Sequence, residues 1–165
     1  MNIFMVDEDP AIAAKCLGDK HVVKMILESA QLLSTAHRVL DGDNTGHLSD
    51  LREGFMYKKT HENHPCAKWV RESISNYLWL VDHLHALLME YEHRYNKKHK
   101  VLELFYYLQS PPQNLEKWEF TPAPSCMPEA VKISKKTVDN YRNYYIISKS
   151  HLHKWTNREK PEWID

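Results

Sequence analysis

The sequence predicts an all-α protein, a single compact domain of about four to six helices with a long central helix. Apolar residues recur at three- and four-residue spacing over most of the chain, and no convincing pair of strand patterns is present. Glycine occurs only four times in 165 residues, so long apolar-periodic stretches run without a breaker. A chain of this length can bury a sizeable core, and we therefore expect one domain over residues 1–165.

The first two helices are predicted from capping residues. Asp9 before Pro10 reads as an N-cap followed by proline at the first helical position, and the short helix "AIAAKCL" should end at Gly18. Asp19 is then predicted to cap a longer helix over about residues 20–39, which carries a wide apolar stripe. The turn-forming stretch "DGDNTGHLSD" (41–50) predicts a surface loop.

The next helix is predicted to begin at Pro65, with Asn63 or His64 as its cap, and to run unbroken to about Asn96. This would be the long central helix of the fold. A shorter helix is predicted around 100–109, before Pro111 and Pro112.

Residues 111–128 hold five of the eight prolines, which predicts an extended segment crossing the surface, pinned by Trp118. A last helix is predicted over roughly 134–153. Its inward positions are expected to be the apolar and aromatic ones: Val138, Tyr141, Tyr145, Ile146 and Leu152. In the tail, Trp155 and Trp163 are expected to pack back onto the domain.

Composition narrows the class of protein. With 42% hydrophobic and 27% charged residues and no apolar run near the roughly 20 residues of a membrane span, the chain is expected to be cytoplasmic, with no membrane partner. Cys16, Cys66 and Cys126 are odd in number and outside any C-x-x-C pair. They predict neither a disulfide framework nor a zinc knuckle, and each is expected to be a small buried residue.

The predicted second helix carries a polar row opposite its apolar stripe: Lys24, Glu28, Gln31, Thr35 and Arg38. Such a row can simply be the solvated side of an amphipathic helix. Histidine and threonine have low helix propensity and are unusual choices for the solvent face of a helix, however. The stretch "STAHR" also lacks the alternation of Glu and Lys that is usual on such a face. A carboxylate between cations and half-buried against an apolar stripe is the arrangement that tunes a catalytic acid or base, which makes Glu28 the leading candidate.

Eleven histidines raise a metal hypothesis, but their spacing matches no common ligand motif. A site assembled across two helices from His21, Glu28, His61 and His64 stays open as an alternative. The function that we consider first for this chain requires no metal and no cofactor.

The last 36 residues contain eight Lys/Arg and four acidic residues, a net charge of +4 in a chain whose total is zero. The stretch "SKKTVDNYRNYYIISK" could therefore bind nucleic acid through Lys135, Lys136 and Arg142, with tyrosines stacking on bases. An equally simple interpretation places the tyrosines in the core and the lysines in water.

Two segments, "CLGDKHVVKMILESAQLL" and "NHPCAKWVRESISNYLWL", together with the basic aromatic end, resemble the small all-helical phage pyrimidine-dimer DNA glycosylases of the endonuclease V type and their bacterial relatives. The resemblance implies base excision from DNA, in which a nucleotide is extruded from the duplex and the glycosidic bond is broken. Asp19, His21 and Glu28 match the family's spacing of acid, histidine and catalytic glutamate. The resemblance implies that Glu28 stabilises positive charge on the sugar and moves protons.

The same resemblance implies a set of DNA contacts. Phosphate-binding roles fall to Lys24, Arg38, Lys68 and Arg71, and Asn63 and His64 at the start of the second segment join the DNA-binding set. The expected partner is double-stranded DNA with one nucleotide extruded.

Two departures from the family pattern change the expected chemistry. Family enzymes use the α-amine of a threonine exposed by removal of the initiator methionine, whereas position 2 is Asn2, so Met1 is expected to stay. Leu27 and Gln31 stand where the family has arginines. We therefore expect hydrolysis by water, assisted by Lys24 or His21, without the strand-cleaving amine step. A metal-dependent hydrolase and a non-catalytic nucleic-acid-binding module stay as alternatives.

Overall fold

The computed structural model describes residues 1–42 and 56–165, and within these ranges every regular element is a helix. The helices in chain order are α1 (Pro10–Cys16), α2 (Asp19–Asp41), α3 (Pro65–Val70), α4 (Ile74–Tyr95), α5 (Val101–Leu108) and α6 (Thr137–Ser148), with 3₁₀ turns at Glu129–Val131 and Ser150–Leu152. The all-α prediction is confirmed. Most of the loop predicted at 41–50 lies outside the described residues. No helix in the described ranges is long and apolar enough to cross a membrane.

Side-chain caps fix where several helices begin. The Asp9 carboxylate accepts hydrogen bonds from the backbone N–H groups of Ala11 and Ile12, with Pro10 as the first residue of α1, as predicted. His64 caps α3 through Nδ1, which accepts the N–H of Cys66. The prediction that Asp19 caps α2 is wrong. Gly18 is the cap, and Asp19 is the first residue of the helix.

Asp19 is buried because it belongs to a charged network instead of a cap. Its carboxylate lies 3.2 Å from Arg94 and accepts hydrogen bonds from the N–H and hydroxyl of Thr156 at 2.9 and 2.7 Å. Arg94 also bonds Glu90 at 3.0 Å, and Glu90 in turn binds Arg158. These bonds connect α2, α4 and the C-terminal tail through a charged cluster whose members are all paired and of which Asp19, Glu90 and Arg94 are buried.

The long central helix predicted from Pro65 to Asn96 is interrupted, so that prediction is wrong in its boundaries. α3 ends at Val70, and α4 starts after Ser73, whose hydroxyl accepts the N–H of Asn76. The Asn76 amide then bonds Trp69 O and the side chain and N–H of Thr121. Serine and asparagine side chains here offer the backbone partners other than those of a continuous helix. The remaining α4, with 22 residues, is still a central helix of the fold.

The core lies between α2 and α4, with α1 and α5 packed against this pair. Three tyrosines are among its largest fully buried side chains, and each has a hydroxyl partner. Tyr77 donates to Leu108 O, Tyr141 donates to the side chain of Asn2, and Tyr145 accepts the N–H of Gly18. Two of the α6 tyrosines therefore occupy the core, which is the simpler of the two interpretations of the tyrosine-rich helix.

The proline-rich crossing segment is held by its backbone and not by its tryptophan. Trp118 is 67% exposed, so the prediction that it pins the segment is wrong. Hydrogen bonds to its carbonyl oxygens hold the segment instead. Lys117 O accepts from Ile74 N, Trp118 O accepts from the Ser75 hydroxyl, and Thr121 O accepts from Trp69 Nε1. The segment thus lies across the start of α4.

The last helix is shorter than predicted. α6 covers Thr137–Ser148, and Ile146 is 43% exposed, which contradicts its predicted inward position. The helix buries Tyr141 and Tyr145, four residues apart, and Ile146 is turned about 100° away from Tyr145. The tail does pack back as predicted, with Trp155 Nε1 donating to Cys16 O at 3.0 Å and Trp163 in edge contact with Tyr145.

Candidate active site

The polar row of α2 is only partly solvated. The Lys24 side chain is 66% exposed, but that of Glu28 is only 16% exposed, and Thr35 and Arg38 are buried. Thr35 bonds the backbone of Thr60 in both directions, through its hydroxyl oxygen, at 3.2 and 3.3 Å. The row is therefore solvent-exposed at Lys24, and its other end, at Thr35 and Arg38, is covered by the segment that precedes α3. It is not the uniformly solvated face of an amphipathic helix.

Glu28 lies at the point where this row becomes covered. Its Oε2 accepts the backbone N–H of Asn2 at 3.0 Å, and its Oε1 is 3.7 Å from Lys24 Nζ. An ionised carboxylate can accept about four hydrogen bonds. With one close donor and one more distant cation among the described residues, Glu28 keeps acceptor capacity for water or for a substrate atom.

Asn2 holds the start of the chain against Glu28. Its Oδ1 accepts from the N–H groups of Ile3 and Phe4 and from the hydroxyl of Tyr141, and its Nδ2 donates to Cys126 O at 2.8 Å. One side chain thus ties the N-terminal residues to α6 and to the crossing segment. The N–H donor to Glu28 is positioned by these bonds, a role for the Asn2 side chain that the sequence analysis did not predict.

His64, Cys66 and Cys126 form a cluster that Asn2 contacts through its bond to Cys126 O. One donor atom from each lies within 4.8 Å of the others, and the two Sγ atoms are 3.5 Å apart, with Cys66 as the hydrogen-bond donor. This hydrogen bond lowers the pKa of Cys126 to about 7, and the same bond together with burial raises the pKa of Cys66. The expectation that each cysteine is buried is confirmed for Cys16 and Cys66 and is wrong for Cys126, which is only half-buried.

The charge environment of His64 includes Glu28, so the cluster lies within electrostatic range of that carboxylate. The pKa of His64 is lowered by burial, then by the positive chain N-terminus and by His61, while the negative charge of Glu28 opposes these effects. Pattern rules could not predict this arrangement, because 60 residues separate Cys66 from Cys126. Only the crossing segment brings the two thiols together.

His21 lies two turns before Glu28, but its ring is in the core. It is 2% exposed, its Nδ1 is 3.3 Å from the Tyr145 hydroxyl, and the ring of Phe4 meets it edge-on at 4.3 Å. Burial, assisted by the nearby charge of Lys24, lowers the pKa of His21 to about 3, so the ring is neutral near pH 7. Its predicted assistance to Glu28 stays a prediction, and its observed contacts are those of a packed ring.

Arg38 is buried at the far end of the polar row. Its Nε donates to Tyr57 O at 2.7 Å and its Nη2 to Met56 O at 3.2 Å. These contacts hold the chain that leads into α3. As a phosphate ligand Arg38 stays a prediction, whereas its bonds to these carbonyl groups are directly observed.

The residues assigned to DNA around α3 differ in exposure. Asn63 and Lys68 are exposed, and Arg71 is half-buried with its Nη1 unpaired among the described residues. Burial lowers the pKa of Arg71, and Glu62 opposes the change. Lys68 and Asn63 are accessible to a ligand such as DNA.

The three basic residues of the C-terminal region border a cleft of about 570 Å³, whose walls also include Phe120 and Asp7. Lys135 and Lys136 are exposed at its edge. Arg142 is engaged, because it donates to Val6 O and to the Asp7 carboxylate, both at 2.8 Å. Glu28 is not among the residues that line this cleft.

The structure thus brings together only part of the predicted site. Glu28 and Lys24 are adjacent, and His64 is near them, but His21 faces the core and Arg38 binds backbone carbonyls. The alternative metal set is not assembled among the described residues, since His21 contacts Tyr145 and His61 Nδ1 bonds the hydroxyl of Thr60. The cluster with metal-ligand proximity in the described ranges is His64, Cys66 and Cys126.

Comparison with known proteins identifies one family. The model of the pyrimidine dimer DNA glycosylase family matches residues 1–103, which include α1 to α4, Glu28 and two members of the cluster. Neither a search of curated proteins nor a search of solved structures gave a match. The match covers more than half of the 165 residues.

Proposed function

The chain belongs to the pyrimidine dimer DNA glycosylase family, and from this we propose that it hydrolyses the bond between a damaged or modified base and deoxyribose in double-stranded DNA. The observation that carries the proposal is Glu28, mostly covered, held by Asn2 N–H and lying beside Lys24. DNA glycosylase activity and DNA binding follow from the family. The lesion, the extrusion of one nucleotide and the use of water are our proposals.

Glu28 has the properties that such a reaction requires. Breaking a glycosidic bond develops positive charge on the sugar, and a fixed carboxylate nearby stabilises that charge. The same carboxylate can orient a water molecule and accept its proton as the water attacks C1′. Lys24 gives this site a cation at its exposed edge, where a DNA phosphate can approach.

Whether Met1 is attached decides whether the nucleophile is water or an α-amine. While Met1 is attached, the nitrogen of Asn2 is a peptide N–H that donates to Glu28 and has no nucleophilic lone pair. If Met1 were removed, the same nitrogen would be an α-amine 3.0 Å from the carboxylate. We propose the first state, and therefore hydrolysis without an imine to the sugar.

The test of base excision uses duplex oligonucleotides that each carry one altered base, including a pyrimidine dimer. Conversion of the target into an alkali-labile abasic site is expected for at least one duplex, and Glu28→Gln should abolish it. Salt-dependent DNA binding that survives Glu28→Gln, without an abasic site on any duplex, would instead indicate a binding module.

The nucleophile is tested separately on the active duplex. Intact mass should show that Met1 is retained, and borohydride should not trap a covalent protein–DNA adduct. Trapping at the α-amine of Asn2, in protein that lacks Met1, would overturn hydrolysis by water while leaving glycosylase activity in place.

A further inference from the structure

Three potential metal ligands meet beside the candidate active site. His64 is the cap of α3, Cys66 is the second residue of that helix, and Cys126 comes from the crossing segment 60 residues later. One donor from each lies within 4.8 Å of the others. His64 and Cys66 are held relative to each other, because Pro65 starts α3 between them and the Cys66 N–H donates to His64 Nδ1.

The position of Cys126 is fixed from two sides. Its carbonyl accepts from Asn2 Nδ2 at 2.8 Å, and its N–H donates to the Tyr141 hydroxyl at 3.3 Å. A residue on an extended segment is therefore anchored by backbone bonds to two other parts of the molecule. This prearrangement reduces the ordering required for Cys126 to act as a ligand.

The sulfur separation suits tetrahedral coordination. With Zn–S bonds of about 2.3 Å, two thiolates on a tetrahedral zinc ion lie about 3.7 Å apart. The observed distance between the Sγ atoms of Cys66 and Cys126 is 3.5 Å. A movement of a few tenths of an ångström would bring them to that spacing.

We propose that His64, Cys66 and Cys126 bind one zinc ion, with the fourth position open to water. One imidazole and two thiolates form a donor set that favours zinc over magnesium or calcium, which prefer oxygen ligands. The ion would join the start of α3 to the crossing segment, next to Asn2 and hence near Glu28. This site is independent of the proposed glycosylase reaction.

Binding would change one hydrogen bond in a defined way. In the structure His64 Nδ1 accepts the N–H of Cys66 at 3.1 Å. A neutral imidazole has only one nitrogen lone pair, so coordination through either ring nitrogen requires the loss of this cap bond. The two thiol protons would also leave, and zinc uptake should release protons to the buffer.

The direct test titrates cobalt(II), as a spectroscopic substitute for zinc, into the full-length protein after reduction and removal of metal. We expect a thiolate-to-cobalt charge-transfer band that saturates at one ion per chain and disappears when zinc is added. Elemental analysis of protein purified without chelators should show one zinc per chain. Absence of a saturable thiolate band would overturn the proposal.

Variants assign the ligands. Cys66→Ser and Cys126→Ser should each weaken cobalt binding by more than about 100-fold, because loss of an outer partner of a metal ligand already costs 10–100-fold. Cys16→Ser is the matched control, since Cys16 is the third free cysteine and lies outside the cluster. Unchanged binding in both cluster variants would contradict the assignment.

A wild-type measurement covers the case in which a variant fails to fold. Zinc should protect Cys66 and Cys126 from alkylation, as mapped by mass spectrometry, while leaving the reactivity of Cys16 unchanged. Equal labelling of the cluster with and without zinc would count against the site. Because none of these measurements uses DNA, a negative result here leaves the glycosylase proposal standing, and a failed base-excision assay leaves the zinc proposal standing.

Discussion

Two carboxylates on α2, Asp19 and Glu28, show how differently one helix can use the same chemical group. Asp19 bonds Arg94 and both the N–H and hydroxyl of Thr156, and it is buried. Glu28 accepts one backbone N–H and faces an exposed lysine. The first carboxylate accepts three hydrogen bonds from the protein, whereas the second accepts one and keeps more capacity for a ligand. The number of hydrogen-bond partners therefore distinguishes these two carboxylates more clearly than burial does, and it makes Glu28 the better candidate for chemistry.

The largest expected effect concerns Glu28. We expect Glu28→Gln to lower the rate of base release by about 10²–10⁴-fold, because it removes the proton acceptor and the negative charge near the sugar. The free energy of unfolding should change by less than about 1 kcal/mol, since the amide oxygen can still accept the N–H of Asn2. Single-turnover base release and urea unfolding measure the two quantities. A variant that loses stability in proportion to activity would contradict the distinction between the two carboxylates.

Asp19 should behave in the opposite way. Asp19→Asn removes one of the two carboxylates that pair with the buried Arg94 and leaves Glu90 as the other, and we expect it to lower the free energy of unfolding by about 3 kcal/mol. Urea unfolding gives the value. Glu129→Gln is a control that also removes an acid paired with a cation, but at a surface where the Glu129 side chain is 86% exposed. It should have little effect.

The ionisation of Asp19 gives a second test of its role in stability, in contrast to Glu28. Burial alone would raise the pKa of Asp19, but hydrogen bonds from Thr156 and Arg94 lower it below its usual value. Its contribution is therefore present above the unfolded pKa of about 3.9 and is lost as pH falls through the lower folded pKa. Asp19→Asn should reduce the acid dependence of stability in that range.

Buried histidines should dominate the pH dependence at milder acidity. Burial lowers the pKa of His21 to about 3 and that of His83 to about 4. Both values lie below the unfolded value of about 6.5, so the unfolded chain binds more protons and stability falls as pH drops below that value. We expect a loss of about 2 kcal/mol per histidine between pH 7 and pH 5.

The measurement for the histidines is the free energy of unfolding at a series of pH values. His83→Gln should remove close to one proton from the slope between pH 6 and pH 5, even if it shifts the whole curve. His85→Gln is a matched control on the exposed side of the same helix. An unchanged slope in His83→Gln would contradict the assignment of acid sensitivity to this buried ring.

Sequence reasoning succeeded where local rules decide the structure. The caps at Asp9 and His64, the helical periodicity and the place of Glu28 next to Lys24 all depend on residues within a few positions of one another. It failed where distant segments meet. Asp19 leaves the predicted cap role because Arg94 and Thr156 lie far along the chain, and the same holds for Cys66 and Cys126. Pattern rules for helices contain no information about such pairings.

The smallest expected effect belongs to Lys24, the exposed neighbour of Glu28. Its Nζ lies 3.7 Å from the carboxylate, and an exposed pair at this helical spacing contributes only about 0.3–0.5 kcal/mol to stability. Lys24→Gln should therefore leave unfolding almost unchanged but weaken DNA binding, with the slope of log affinity against log salt reduced by about 1. Lys20→Gln is the matched control, since it removes the same charge from an exposed position one turn earlier on α2. Equal effects of the two variants would mean that Lys24 acts through general charge, whereas a larger effect of Lys24→Gln would place a DNA phosphate beside Glu28.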